Sequence, residues 1–465
     1  DWSSDVCSSD LISSFQVTAA AGRIPGLVQT CTTVFPFSTI TNGCVNSPDI
    51  TKTVAAGFPT QLPAPNVKPS SFFTPPQQLR NAAPANITVF APEMKLPTVH
   101  EWNIGIQREL PGGLVVQAAY IGRRGERLFM AYDINQVNAD PLVPSFLIMQ
   151  QNRAKGCTSA GTGCTGGVTP PLLAQLTAAF VQQGQSQSAA TTSATNFINS
   201  GNTTTDLNRN SVGNFAVRIE NTVLGLKLRP NQQFASITYL DNSGDSNYHA
   251  AQFTVRRRFS SGLGLSAAYT FGKSIDNQSV DPVGASSGGG LSNTNSRTPT
   301  DIRDFREERA RSDFDRTHVF TGASVWEVPL GRGRRFLNTN NGFVNQTLGG
   351  WSINTIFNVM SGEPFAVRSG SFTAHGSHES RAGVQGSVSP HLHEIPGQTF
   401  AGPVLFDPVA LNPATGNPFT CGVNLNEPFC LPAPGTNGAG RNIFVAPSYW
   451  NVDFGLIKVF SITER

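Results

Sequence analysis

A chain of 465 residues with a formal net charge of +3 and only 14% charged side chains is too weakly basic, and its cations too scattered, for a nucleic-acid partner. It holds no run of about 18 or more apolar residues, which excludes a helical membrane span and leaves a β-barrel open. Gly (45), Pro (32) and Phe (31) against Tyr (6) point to strands joined by long turn-rich connections.

Residues 1–11, DWSSDVCSSDL, resemble the in-frame translation of a common short-read sequencing adapter and are read as a scar outside the fold. On that reading the native N-terminus and any signal peptide are missing. Setting Cys7 aside with the scar leaves three local pairs: Cys31 and Cys44, Cys157 and Cys164, Cys421 and Cys430. Each pair lies in Gly-, Thr-, Pro- or Asn-rich chain, so neighbour-to-neighbour loop disulfides in an oxidising compartment are expected. Free thiols are the alternative; no CxxC spacing or adjacent His supports a Cys metal site.

Residues 12–98 are expected to form a long external loop region, with FPTQLPAP at 58–65 reading as irregular or polyproline-like chain. Residues 99–465 then alternate strands with loops. Over 100–110, Trp102, Ile104, Ile106 and Leu110 take one face against Glu101, Asn103, Gly105, Gln107 and Glu109. PGG at 111–113 turns the chain, and 114–121 returns with Val116, Ala118 and Tyr120 outward and Gln117 inward. Residues 122–247 read as one long connection: 171–180 is a helix candidate, 182–205 a solvated polar tract, and 214–219 and 236–240 carry weak strand patterns.

The hairpin 248–273, YHAAQFTVRRRFSSGLGLSAAYTFGK, alternates most strictly: Leu263, Leu265, Ala267, Tyr269 and Phe271 oppose small and polar neighbours. A strand at 316–327 leads into a basic turn, GRGRR at 331–335. Residues 351–360 place Trp351, Ile353, Phe357 and Val359 opposite Ser352, Asn354 and Asn358. After a Gly/Pro/Asn-rich loop, 449–460 puts Trp450, Val452, Phe454, Leu456 and Phe460 outward and Asn451, Asp453 and Gly455 inward.

If the tight turns at Pro111, Ser260 and Gly331 share one side of a membrane, every long connection and all three cysteine pairs fall on the other. That segregation is the rule for outer-membrane barrels and has no cause in a soluble sandwich. The expected fold is all-β: a partial antiparallel transmembrane β-barrel with long extracellular loops, in the outer membrane of a Gram-negative cell. HEWNIGIQRELPGGLVVQAAYIGRRGERL, YHAAQFTVRRRFSSGLGLSAAYTFGKSID, SDFDRTHVFTGASVWEVPLGRGRRF, LGGWSINTIFNVMSGEPFAV and GRNIFVAPSYWNVDFGLIKVFSITER, in that order, resemble the Oar-like barrel of TonB-dependent receptors. The resemblance implies a transporter closed by an N-terminal plug, energised through the TonB complex and often carrying a carboxypeptidase-regulatory-like domain. The sequence contains none of these segments and stops before the family's last strands, so an internal fragment is expected.

The expected function is part of a receptor barrel taking up an unidentified small ligand, with outer-membrane lipid and the TonB complex as partners. A cell-surface adhesin or structural outer-membrane β-protein without transport is the alternative. No catalytic constellation appears, so no enzyme and no cofactor are expected. Asn103, Gln107, Gln117, Asn354, Asn358, Asn451 and Asp453 are lumen-facing candidates. His375, His378, His391 and His393 with nearby Glu379 and Glu394 could hold a borderline metal, but their spacing matches no standard motif, so they are read as a His-containing polar loop and no metal is expected. The mixed-charge stretch 301–316 reads as a solvated, self-paired loop, and Arg256, Arg257 and Arg258 as headgroup-snorkelling side chains.

Overall fold

The computed structural model of the protein describes residues 85–222, 226–232, 234–279, 299–339, 341–376, 378–395 and 402–460. The adapter-like residues, most of the 12–98 region, Cys31 and Cys44 lie outside them. In chain order the strands are β1 (Ala85–Phe90), β2 (Thr98–Leu110), β3 (Leu114–Asp133), β4 (Phe234–Ser260), β5 (Leu263–Asp276), β6 (Ala310–Arg311), β7 (His318–Glu327) and β8 (Trp351–Met360). Six two-residue strands follow in the last long loop: β9 (Pro364–Phe365), β10 (Gly383–Val384), β11 (Leu411–Asn412), β12 (Asn417–Pro418), β13 (Phe429–Cys430) and β14 (Phe444–Val445). The last strand is β15 (Tyr449–Lys458). The helices are α1 (Val143–Ala154), α2 (Pro171–Gln182), α3 (Gln187–Ile198), α4 (Gly201–Asn208), α5 (Val212–Thr222) and α6 (Gly342–Leu348).

One antiparallel path, β15-β8-β7-β5-β4-β3-β2, forms the wall, and it does not close among the described residues. Strands β5, β7, β8 and β15 have 14, 10, 10 and 10 residues, close to the roughly 9–11 that a tilted strand needs to cross hydrocarbon. Strands β3 and β4, at 20 and 27 residues, run well past that height. Tight turns at 111–113 and 261–262 and the longer turn 328–350 share one end; the connections 134–233, 277–317 and 361–448 share the other.

Directly opposed residues of an antiparallel ladder share a face. Following the register strand by strand gives one apolar row across the wall: Ile106, Ala118, Phe253, Tyr269, Phe320, Val359 and Trp450. Two positions on this face require glycine. The Trp102 indole lies over Gly122 and the Phe357 ring over Gly322, each where a Cβ would stand. An aromatic ring covering a cross-strand glycine buries the bare backbone and pins the register.

The loop-like reading of 122–247 is wrong in three places. Strands β3 and β4 stay paired from Arg123 opposite Tyr248 up to Asp133 opposite Thr238, with register shifts between Gly125 and Met130. Arg127 takes a φ of 59° there, and the bulge breaks the period of two that marks a strand in sequence. Residues 182–205, read as a solvated tract, lie largely in α3 and α4, and 214–219 is helical within α5. Ala190, Ala194 and Ile198 recur every fourth residue and are fully buried, packing in one core with Phe146, Leu172, Leu176, Phe215 and Ile219. Ser186 and Ser200 cap α3 and α4 by accepting from Ala189 N at 3.3 Å and Thr203 N at 3.2 Å. The helix expected at 171–180 is present as α2. Within 12–98, Ala85–Phe90 is a strand, paired in parallel with the upper part of β4.

Gly122→Val drives a branched side chain into the Trp102 ring, and a cost of about 1–3 kcal/mol is expected. Urea unfolding in lipid vesicles, followed by tryptophan fluorescence, measures it; Gly201→Ala, whose added methyl meets nothing within 4 Å, is the comparison that stays near the parent.

Candidate functional site: the polar wall face and the loop cap

Gln107, Gln117, Thr254, Ala268, Thr321, Asn358 and Asn451 form the row adjoining the apolar one, on the opposite face. Asn103, Asn354 and Asp453 stand on this same face, in other rows. Only Gln107 with Gln117 and Asn358 with Asn451 are direct neighbours among the seven candidates; Asn451 also donates from Nδ2 to Asp453 Oδ2 at 3.1 Å. Thr254 and Thr321, which complete the row, escaped the sequence reading because each sits between larger apolar or glycine neighbours. The face is not uniformly polar: Ile121, Val319, Ile356 and Met360 share it. The register also splits the arginine run, placing Arg257 opposite Leu265 on the apolar face and Arg256 opposite Ser266 on the polar one.

Toward the long-loop end, the apolar face carries Trp102 and two diagonal Tyr–His pairs. Tyr120 Oη meets His249 Nδ1 at 2.7 Å, and Tyr269 Oη meets His318 Nδ1 at 2.8 Å. Amphipathic rings at this height fit the headgroup zone of a membrane.

Above the wall, the loops fold into a cap. Phe406, Phe429 and Phe444 pack edge to face and Phe365 lies tilted against Phe406 and Phe444, with centroids 4.8–6.1 Å apart. The helical core docks on the same loop: Gly213 N donates to Phe372 O at 2.8 Å, and Asn210 Nδ2 to Pro432 O at 2.9 Å and Thr420 Oγ1 at 3.0 Å. At the centre stands a buried ionic clasp. Arg441 Nη2 donates to Asp276 Oδ1 and Ser279 Oγ at 2.6 Å and to Asp313 Oδ1 at 3.3 Å, while Nη1 donates to Glu308 O at 2.8 Å. Arg381 Nη2 reaches both Glu308 carboxylate oxygens at 2.5 Å, with both side chains almost fully buried. The clasp ties the end of β5, the 299–317 segment and the last long loop together.

This corrects the reading of 301–316 as a solvated, self-paired loop. Asp301, Glu308, Ser312 and Asp315 are buried. Arg303 with Asp301 and Arg311 with Asp315 are local pairs. Glu308 pairs with Arg381, Arg309 with Asp245, Arg316 with Glu363, and Arg303 also reaches Asp140. Burial pushes the Asp301 carboxyl up, but hydrogen bonds from Arg303 outweigh it and hold the group at about 2. The sequence offered one hint, isolated arginines in an otherwise charge-poor Gly/Pro loop, but no local pattern names partners 73 residues away.

A cleft of about 630 Å³ opens between Asp301, Arg303 and Glu307 on one side and the loop 432–439 on the other. Asn437 Nδ2 donates across it to Glu307 Oε2 at 2.9 Å. The disulfide Cys421–Cys430 bounds it and packs against Gly383; Cys157–Cys164 is the second disulfide, closing a loop between α1 and α2. The four histidines form two separate pairs. His375 and His378 are buried, ring centroids 6.2 Å apart, and His391 stacks on His393 at 4.5 Å. His393 Nε2 meets Asp407 Oδ1 at 2.9 Å. No group of three or more His, Cys, Asp or Glu among the described residues is arranged to hold a metal ion.

Residues 21–465 match the family described as the outer membrane beta barrel domain. No curated protein matches the chain. A solved structure, the outer membrane transporter YddB from Escherichia coli, is similar over 65% of this chain and 27% of its own length, at 8% identity and a TM-score of 0.28.

Arg441→Met keeps an unbranched apolar stem but removes the guanidinium that Asp276 and Asp313 share, and breaking such a buried pair costs about 3–5 kcal/mol. Limited proteolysis is expected to cut the variant within 361–448 while the wall strands stay protected; an unchanged pattern would remove the clasp from its structural role. Acid acts on the same cap. Burial, with His375 and Arg368 nearby, lowers His378 to about 3, and burial also lowers His375. An opened cap exposes imidazoles that titrate near about 6.5. The open form therefore takes up protons that the closed form refuses, and closure weakens as pH falls from about 6.5 toward 3. Amide exchange at 378–382, corrected for its intrinsic rate, is expected to be faster at pH 5 than at pH 7.5.

Proposed function

The chain belongs to the outer membrane beta barrel domain family, and we propose that it is part of the barrel of a TonB-dependent receptor that captures a ligand outside the cell and passes it along a polar lumen. The observation that carries this reading is the asymmetry of the wall: one apolar face for lipid, one largely polar face, and an ordered cap confined to the long-loop end. Lumen-facing Gln107, Gln117, Asn358 and Asn451 would offer a ladder of amides that exchanges hydrogen bonds with a passing ligand or with a plug. The 630 Å³ cleft, flanked by the Cys421–Cys430 disulfide, suits first capture. The reading assigns no catalysis to the protein and requires the wall to be completed by further strands, since open sheet edges are not tolerated in hydrocarbon. TonB dependence rests on the resemblance of the hairpin sequences, not on the wall itself. A surface adhesin is the second reading, favoured by the size of the ordered helical part of the cap.

Cells lacking the gene, and the same cells complemented with its full-length form, separate the two. Each is given iron–siderophore complexes, oligosaccharides and peptides, and the spent medium is analysed by mass spectrometry. Depletion of one class only by complemented cells, abolished by a protonophore, is expected. Identical depletion in both strains together with a difference in surface adhesion would replace transport by the second reading.

A further inference from the structure

The turn between β7 and β8 differs from the other two at its end of the wall. It spans 328–350, and four large apolar side chains on it stand exposed: Phe336 and Leu337 at 53%, Phe343 at 80% and Leu348 at 42%. Arg332, Arg334 and Arg335 are exposed on the same turn.

These side chains are held on an ordered frame. Asn345 Oδ1 accepts from Arg332 N at 2.7 Å, and Asn338 Oδ1 accepts from Gly333 N at 2.8 Å. Asn341 Oδ1 caps α6, accepting from Phe343 N at 3.0 Å and Val344 N at 3.3 Å. Trp351 Nε1 and Lys458 Nζ both donate to Thr347 O, at 3.1 and 3.2 Å, and tie the turn to β8 and β15. The Lys458 ammonium sits 4.9 Å over the Trp351 ring and 5.3 Å over Phe460. Trp351 and Lys458 are opposed in register on the apolar face, so the exposed patch on the turn continues the band that faces lipid.

We propose that this turn is an interfacial anchor lying on the leaflet at the tight-turn end, where it binds the phosphate of anionic phospholipids. Phe336, Leu337 and Phe343 enter the boundary between headgroups and acyl chains, and the arginines meet the phosphates. Charge selects the occupant. Residues 328–350 carry Arg332, Arg334 and Arg335 and no Asp or Glu, and the adjoining Glu327 engages Arg334 at 2.7 Å, so the turn is cationic beside an apolar patch, the composition of a surface-seeking segment. Arg335 lies 5.5 Å over the Phe336 ring, coupling a cation to an apolar anchor.

The test places the full-length protein in nanodiscs, with heat-modifiable gel mobility reporting insertion, and follows hydrogen exchange of the turn amides. Protection in phosphatidylethanolamine discs containing phosphatidylglycerol is expected to exceed that in phosphatidylethanolamine alone by on the order of tenfold, and to shrink in high salt. The double variant Arg332→Gln and Arg335→Gln should remove the difference. Phe343→Ser should lower protection in both discs while gel mobility is kept. Equal protection in the two discs of the unmutated chain, or a difference that survives the arginine changes, overturns the proposal. Protection that appears only when a periplasmic protein extract is added assigns the turn to a protein partner and overturns it equally.

Discussion

The register that sets Phe253 opposite both Ala118 and Tyr269 governs the rest of the wall. Side chains alternate with a period of two, so a slip of one residue on β4 would move its apolar side chains to the polar face and bring Arg256 and Gln252 to the apolar one. Covering Gly122 with Trp102 opposes a slip of the same kind between β2 and β3, and covering Gly322 with Phe357 opposes one between β7 and β8, since each ring needs a position without a Cβ. The same alignment sorts Gln107, Gln117, Thr254, Thr321, Asn358 and Asn451 into one row, although they come from six strands spread along the chain.

The two ends of the wall solve different problems. At the tight-turn end the backbone reverses within a few residues at 111–113 and 261–262, and only 328–350 has the length to build a surface of its own. At the other end the connections are too long to be held by the wall, and they form cores: the helical core around Phe146 and Phe215, and the smaller phenylalanine cluster around Phe429 and Phe444. Arg441 and Arg381 join these cores to β5 and the 299–317 segment through buried carboxylates. Buried ion pairs contribute little net stability over an apolar packing of the same shape, but a buried charge left without its partner is strongly destabilising. The clasp therefore specifies which loops meet more than how tightly they hold.

The legible part of this architecture was the part governed by a short period. The alternation over 100–121, 248–273, 351–360 and 449–458 is visible because lipid and a polar interior impose opposite demands on successive residues. Where the demand was no longer two-sided, the reading failed. Strands β3 and β4 above Gly125 are bulged, with Phe129, Met130 and Ala131 following one another instead of alternating, and α3 presents Ala190, Ala194 and Ile198 as its fully buried stripe among Gln, Ser and Thr. Small alanine side chains give a weak hydrophobic signal, yet they bury well where two helices approach closely.

The sequence alone determined the strand faces in the wall, the end at which each connection lies and the local cysteine pairing of the two described disulfides, because each is set by neighbours within about a dozen residues. Tertiary structure decided everything that depends on distant contacts. It brought Glu308 to Arg381 and Asp276 to Arg441, folded a hundred-residue connection into helices, separated the four histidines into two pairs, and set the polar row in line. The physical reason is that a membrane acts on every residue of a strand at once, whereas a salt bridge or a packed core acts only between particular residues that the fold has first brought together.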